Sequence, residues 1–205
     1  MKHRSKQNRK TGLRLLLVML VLLILPDSAS AHVRGSDAAG FVTGLLHPVS
    51  GMDHVLAMIA VGLWGTQLGQ PAVWLLPVTF PMVMALGGML GLMGIPLPGI
   101  EVGIAASAII LGIAVLKEAR PPLAVAAVVV ALFAIFHGHA HGTELPEGQS
   151  GWVYSMGFVI ATGSLHATGV CMGLVHRWSW GQIVLRLAGG CVAVTGLLFM
   201  WRAVQ

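Results

Sequence analysis

Polar residues in this chain fall between long apolar runs and do not alternate within them. Six runs of about 20 residues stand out, at 51–69, 72–94, 98–117, 121–141, 152–176 and 180–203. At 1.5 Å per residue, each is long enough to cross a hydrocarbon core of about 30 Å as a helix. A shorter run, Ala38 to Leu46, comes first and ends at His47-Pro48. It is too short to span and predicts a half-helix or re-entrant segment, a form that survives at membrane depth only where protein or a polar cavity satisfies its backbone. The breaks carry helix punctuation: Gln70-Pro71, Ile95-Pro96-Leu97-Pro98, Arg120-Pro121-Pro122, the polar stretch Gly142 to Ser150, and Arg177 to Gly181. The pattern predicts an all-α polytopic bundle of six transmembrane helices forming one domain over residues 32–205.

The N-terminal part reads differently. Six basic residues (Lys2, Arg4, Lys6, Arg9, Lys10, Arg14) precede an unbroken apolar stretch from Leu15 to Leu25, followed by Pro26 and the small-residue ending Asp27-Ser28-Ala29-Ser30-Ala31. A positive head, a core too short to span and an Ala-x-Ala ending predict a signal peptide over residues 1–31, cleaved after Ala31. The mature chain would then begin at His32, outside the cytoplasm, where a free amine and an imidazole form a bidentate chelator.

Composition agrees with this division. Of 205 residues, 56% are hydrophobic and 9% charged, against roughly 25% charged in an ordinary soluble domain. The net charge of +5 resides in the leader. From residue 32 onward six bases (Arg34, Lys117, Arg120, Arg177, Arg186, Arg202) face six acids (Asp37, Asp53, Glu101, Glu118, Glu144, Glu147), which removes the case for a nucleic-acid partner. With an external N-terminus, Lys117, Arg120 and Arg177 fall in cytoplasmic loops, as the positive-inside rule requires. The expected location is the bacterial inner membrane, with both mature termini periplasmic. Cys171 and Cys191 lie in apolar runs and predict no structural disulfide. Pairs of small residues four apart, such as Gly87 with Gly91, Gly99 with Gly103 and Gly169 with Gly173, predict close helix packing.

Ionisable groups inside a span are costly unless paired or turned to a cavity. Here they form two groups, His47-Pro-Val-Ser-Gly-Met-Asp53-His54 and Phe136-His137-Gly-His139-Ala-His141-Gly-Thr-Glu144. The first opens span one and the second closes span four, so both belong at the outer face. A lone membrane histidine is commonly a helix–helix hydrogen-bonding residue; two groups at one depth, each with an acid, point instead to a shared site. Imidazole nitrogen with carboxylate oxygen suits nickel, zinc, cobalt or copper(II), whereas calcium or magnesium would be held by oxygens. His137 and His141, four apart, align on one helix face, while His139 points elsewhere unless Gly138 and Gly142 loosen the turn. Asp53 either ligates or accepts the second N–H of a ligating histidine. The candidate metal ligands are therefore His47, Asp53, His54, His137, His141 and Glu144. Glu101, at the outer end of span three, and His166, near the middle of span five, are further candidates for the ion's path, as is His32.

Three functions fit a metal site in such a bundle to different degrees. The first is a transporter. The second is a scaffold or sensor that hands metal to a partner without moving it across the membrane. The third, an intramembrane protease, lacks an H-E-x-x-H motif, and the G-x-S-G string Gly148-Gln149-Ser150-Gly151 falls at the end of the polar stretch before span five and not within an apolar run; no phosphate-binding G-x-x-x-x-G-K-[ST] segment supports an ATPase.

The two strings resemble the paired motifs His-x5-Asp-His and Phe-His-Gly-x-Ala-His-Gly-x-Glu of the HupE/UreJ family, membrane proteins associated with hydrogenase and urease gene clusters and regarded as nickel permeases. Every fixed position of the second motif is matched by Phe136, His137, Gly138, Ala140, His141, Gly142 and Glu144. The resemblance extends over the mature chain through Glu101-Val-Gly-Ile-Ala-Ala-Ser and Leu165-His166-Ala-Thr-Gly. It implies nickel as the transported substrate, uptake across the inner membrane as the activity, and hydrogenase or urease maturation proteins as partners.

Overall fold

The computed structural model describes residues 37–144 and 150–205. The expected signal peptide over 1–31 with its cleavage after Ala31, and His32, lie outside the described residues. Seven α-helices follow in order: α1 Asp37–Ser50, α2 Met52–Leu68, α3 Ala72–Leu92, α4 Ile100–Lys117, α5 Leu123–Thr143, α6 Gly151–Gly173 and α7 Ser179–Ala203, with a 3₁₀ turn Leu174–Arg177 before the last. Five of them, α3 to α7, are long and apolar enough to cross a membrane, and the bent pair α1 and α2 makes up to six. The chain is a multi-pass membrane protein.

The order of burial is that of a bundle in a nonpolar solvent. On α3, Trp74, Val78, Met82, Leu86 and Met89 recur at helical spacing and are all exposed. Such a stripe belongs against lipid, because water would not tolerate its length. The polar groups go inward: Ser107, His137, Thr162 and His166 are among the most deeply buried side chains. Helix α2 is the central element, with eleven of its seventeen residues buried, and it packs against α3, α4, α6 and α7. Trp64 Nε1 donates to the Ala119 carbonyl and Gln67 Nε2 to that of Val115, which pins the second end of α2 to the end of α4.

Small residues set which helices pair. α3 lies along α5, with Gly87 and Gly91 against the backbone of Ile135 and His139, and α7 lies along α4, with Gly189 against Gly112 and Leu116. Without a hydrophobic force between helices in lipid, this close backbone approach is a main source of association. Gly169 packs in the same way against the backbone of Ile59, whereas Gly103 makes room for the side-chain ring of Phe136. Gly99 does not: it has open space around it and a φ of 70°, and it serves as the left-handed residue before α4.

Pro48 does not end α1. The helix continues through it to Ser50, giving up only the bond that a proline cannot donate. The break comes at Gly51, whose extended backbone separates α1 from α2 with a bend of 78°. The ends of α1 and α5 meet the starts of α2 and α4 at one end of the bundle; Glu118 and His176, 3.5 Å apart, mark the other.

Candidate metal centre

The bend at Gly51 determines how the first polar string is presented. His47 sits in the last turn of α1 and His54 in the first turn of α2, so the bend, and not a shared helix face, turns both toward one place. The Asp53 carboxylate accepts the His54 backbone N–H at 2.8 Å and lies 3.4 Å from His54 Nδ1. A side chain at position 51 would put its Cβ 2.7 Å from Asp53 Oδ1, so the carboxylate would have to shift from its place beside His54.

Helix α5 supplies the second string. His137 and His141 lie one turn apart and face α2, while Gly138 and Gly142 let the neighbouring face approach the backbone of Met84 and Gly88 on α3. His54 Nε2 lies 2.9 Å from His137 Nδ1 and 2.5 Å from His141 Nε2. At the mouth, His47 Nε2 lies 3.0 Å from Glu144 Oε2, and His141 Nδ1 is 3.8 Å from the same oxygen. Ligand atoms of His47, His141 and Glu144 all fall within 4.8 Å of one another. His141 thus belongs to two constellations, a mouth trio with His47 and Glu144 and an inner trio with His54 and His137. A cavity of about 520 Å³ opens onto His47, His54, His141 and Glu144, with Asp53 and Glu101 also lining it, while His137 lies behind His54 and is fully buried.

The outer partners of the inner trio define its chemistry. The Ser107 hydroxyl donates to the Ile104 carbonyl at 2.6 Å, so its oxygen is left to accept the N–H of His137 Nε2 at 2.9 Å. His137 Nδ1 is then a bare lone pair. A carboxylate only accepts, so the proton between His54 Nδ1 and Asp53 is on the imidazole, and a neutral His54 then presents a bare Nε2 as well. Two lone pairs that face each other at 2.9 Å repel unless a cation sits beside them. A bound first-row metal ion, with nitrogens at about 2.0–2.1 Å, is such a cation, and the far-side N–H bonds to Asp53 and Ser107 are the supports that orient ligating histidines. Ser107→Ala is accordingly expected to weaken divalent-metal binding about tenfold while leaving the fold intact; equilibrium dialysis of the purified protein with Ni²⁺ checks this, and unchanged affinity would remove the role assigned to the hydroxyl.

The remaining candidates lie apart from this cluster. His139 Nε2 donates to the Ile95 carbonyl at 2.7 Å, so that side chain ties α5 to the α3–α4 connection. His166 stands on α6, where its Nδ1 meets the Met58 carbonyl of α2. Glu101, in the first turn of α4, lines the cavity and is exposed. Ser107 escaped the sequence analysis, although it ends the string Glu101-Val-Gly-Ile-Ala-Ala-Ser and follows Glu101 and Ile104 at three-residue steps along one helix face. Phe80, wedged between His137 and His166, carries no signal that separates it from the other apolar residues of α3.

Comparison with known proteins bears on the same residues. A family model described as HupE / UreJ protein matches residues 20–199. "Protein HupE" of Rhizobium leguminosarum bv. viciae is 48% identical over 177 residues, which cover 86% of this chain and 92% of that protein. No solved structure matches the chain.

Proposed function

Because the chain belongs to the HupE/UreJ family of hydrogenase and urease accessory membrane proteins, we propose that it imports a divalent transition-metal ion, nickel, across the inner membrane for the maturation of one of those enzymes. The observation that carries this reading is the approach of His137 Nδ1 and His141 Nε2 to the same atom, His54 Nε2, with far nitrogens of His54 and His137 held by Asp53 and Ser107, beside the mouth trio of His47, His141 and Glu144. The set is rich in nitrogen, which favours nickel, cobalt, zinc or copper over the hard cations magnesium and calcium. Family membership makes nickel the choice among them.

In this reading the 1–31 leader directs insertion and is removed, the 32–205 domain has both ends in the periplasm, and α1 with α2 forms a re-entrant half-helix and span that lets His47 reach the mouth. The ion enters between His47 and Glu144, which are partly exposed, and exchanges onto the inner trio through His141, whose two nitrogens face the two constellations. A carrier must release what it binds. Neutral imidazoles at an open mouth suit this better than a closed cage of thiolates. The family is one of membrane accessory proteins and permeases, so no reaction is assigned to the site.

Radioactive nickel uptake into proteoliposomes tests the proposal. His47→Ala, Asp53→Asn and His137→Ala are each expected to reduce initial uptake about tenfold or more. Undiminished uptake in all three correctly inserted variants would overturn the transport reading. Metal binding with no uptake by the unmodified chain would instead favour a scaffold that passes nickel to a maturation partner.

A further inference from the structure

We infer that His166 and Thr162 form a second station for the transported cation, deeper in the bundle and separated from the inner trio by the ring of Phe80. This rests on the transport reading above and extends it with a binding position along the route. His166 is 1% exposed, and its Nδ1 lies 2.9 Å from the Met58 carbonyl. A carbonyl only accepts, so Nδ1 carries the hydrogen and Nε2 presents a lone pair. No described residue hydrogen-bonds that Nε2. Thr162, one turn earlier on the same face of α6, is fully buried, and its hydroxyl also lacks a partner.

The threonine is informative by contrast. In this bundle Thr66, Ser155, Ser164, Thr168 and Thr195 all donate to the carbonyl four residues back, the usual way a hydroxyl is satisfied inside a membrane helix. Thr162 does not. A buried acceptor and a buried hydroxyl left open side by side are costly to keep unless a ligand completes them. Nitrogen with oxygen is also the donor chemistry of the inner trio, so the same borderline divalent ion fits both.

Phe80 links the two positions. Its ring centre lies 5.5 Å from that of His137 and 5.3 Å from that of His166, in edge-to-face contact with each. One phenyl ring therefore separates the trio from the second station, and its face, which carries negative charge density, is a wall that a cation passes more readily than an alkyl side chain.

The test uses the full chain, with Ni²⁺ alone as the probe, measuring equilibrium binding to the purified protein and initial uptake into proteoliposomes. His166→Asn keeps an amide N–H where Nδ1 meets the Met58 carbonyl and removes Nε2. It is expected to bind Ni²⁺ at the trio within about threefold of the unmodified protein and to lose about tenfold or more in uptake. If His166 is only a helix-to-helix hydrogen bond, the asparagine restores uptake, and uptake within about twofold of normal overturns the inference. Loss of trio binding in a folded His166→Asn protein also overturns it, because the residue would then act through the outer site. Thr162→Val preserves shape and removes the hydroxyl; a fall in uptake of about threefold or more supports the station, and undiminished uptake overturns it whatever the yield of the histidine variant. Failure of transport itself shows separately, as undiminished uptake in the His47, Asp53 and His137 variants.

Discussion

Replacing His54 by alanine is expected to lower the Ni²⁺ affinity of the purified protein about a hundredfold or more, the largest loss from any single ligand. His54 Nε2 is the atom that approaches both other nitrogens of the inner trio, and its opposite nitrogen faces Asp53. Removing it deletes one donor and separates the remaining two from their common partner. Glu144→Gln should cost far less, about tenfold, because that carboxylate is 58% exposed and already shares its charge with water. Equilibrium dialysis with Ni²⁺, on protein shown to be folded by circular dichroism and gel filtration, gives the order. A Glu144 loss larger than the His54 loss would move the principal site from the trio to the mouth. The pH dependence has a definite sign. A protonated imidazole has no lone pair to give, so binding weakens as pH falls and is not weakened by a rise to neutral pH.

The parts of this fold legible in the sequence are those controlled by the solvent. Bilayer thickness determines how many apolar residues a crossing needs, and water at the ends selects the breakers, so the run at 98–117 becomes Ile100–Lys117 and that at 180–203 becomes Ser179–Ala203. The identity and depth of the polar residues are legible for the same reason, since a charge in a span is conspicuous against leucine and valine. Partner choice between helices is not. Gly87 with Gly91 and Gly99 with Gly103 have the same spacing, yet the first pair packs against α5, while Gly99 makes a left-handed turn. The difference depends on what stands opposite, which no local pattern records.

The site shows the same limit at closer range. His54 follows His47 by seven positions, and on a continuous helix that spacing would bring them to one face. The bend at Gly51 brings them together by another route, with Pro48 kept inside α1. Which histidine nitrogen is free depends on Ser107 and Asp53, one on a different helix and the other an adjacent residue whose orientation follows from the bend. A ligand set can thus be read from residue types, but the tautomers that make it a ligand set require the packing.

Gly138→Val is expected to be among the most damaging substitutions for the fold, destabilising it by about 2–4 kcal/mol. A Cβ at Gly138 would overlap the Met84 carbonyl and crowd the Gly88 amide, and both are backbone atoms of α3 that no side-chain rotation can move aside. Only separation of α3 from α5 relieves the clash. That separation opens the tightly packed pair held by Gly87, Gly88, Gly91 and Gly142, whose stability comes from close contact with no hydrophobic drive behind it. Because His137 is the adjacent residue on α5, any adjustment that saves the fold also moves its ring away from Ser107 and His54. Gly163→Ala is the matched control: an added Cβ there meets nothing within 4 Å, so a methyl group on α6 should leave thermal stability in detergent and Ni²⁺ binding unchanged. A Gly138→Val protein that elutes normally after heating and binds Ni²⁺ like the unmodified chain would show that α3 and α5 have slack at this point. The glycines of the Phe-His-Gly-x-Ala-His-Gly string would then have to be explained by something other than helix approach. The expected loss of both properties makes those glycines part of the metal centre's geometry, since they set the distance at which α5 holds its histidines.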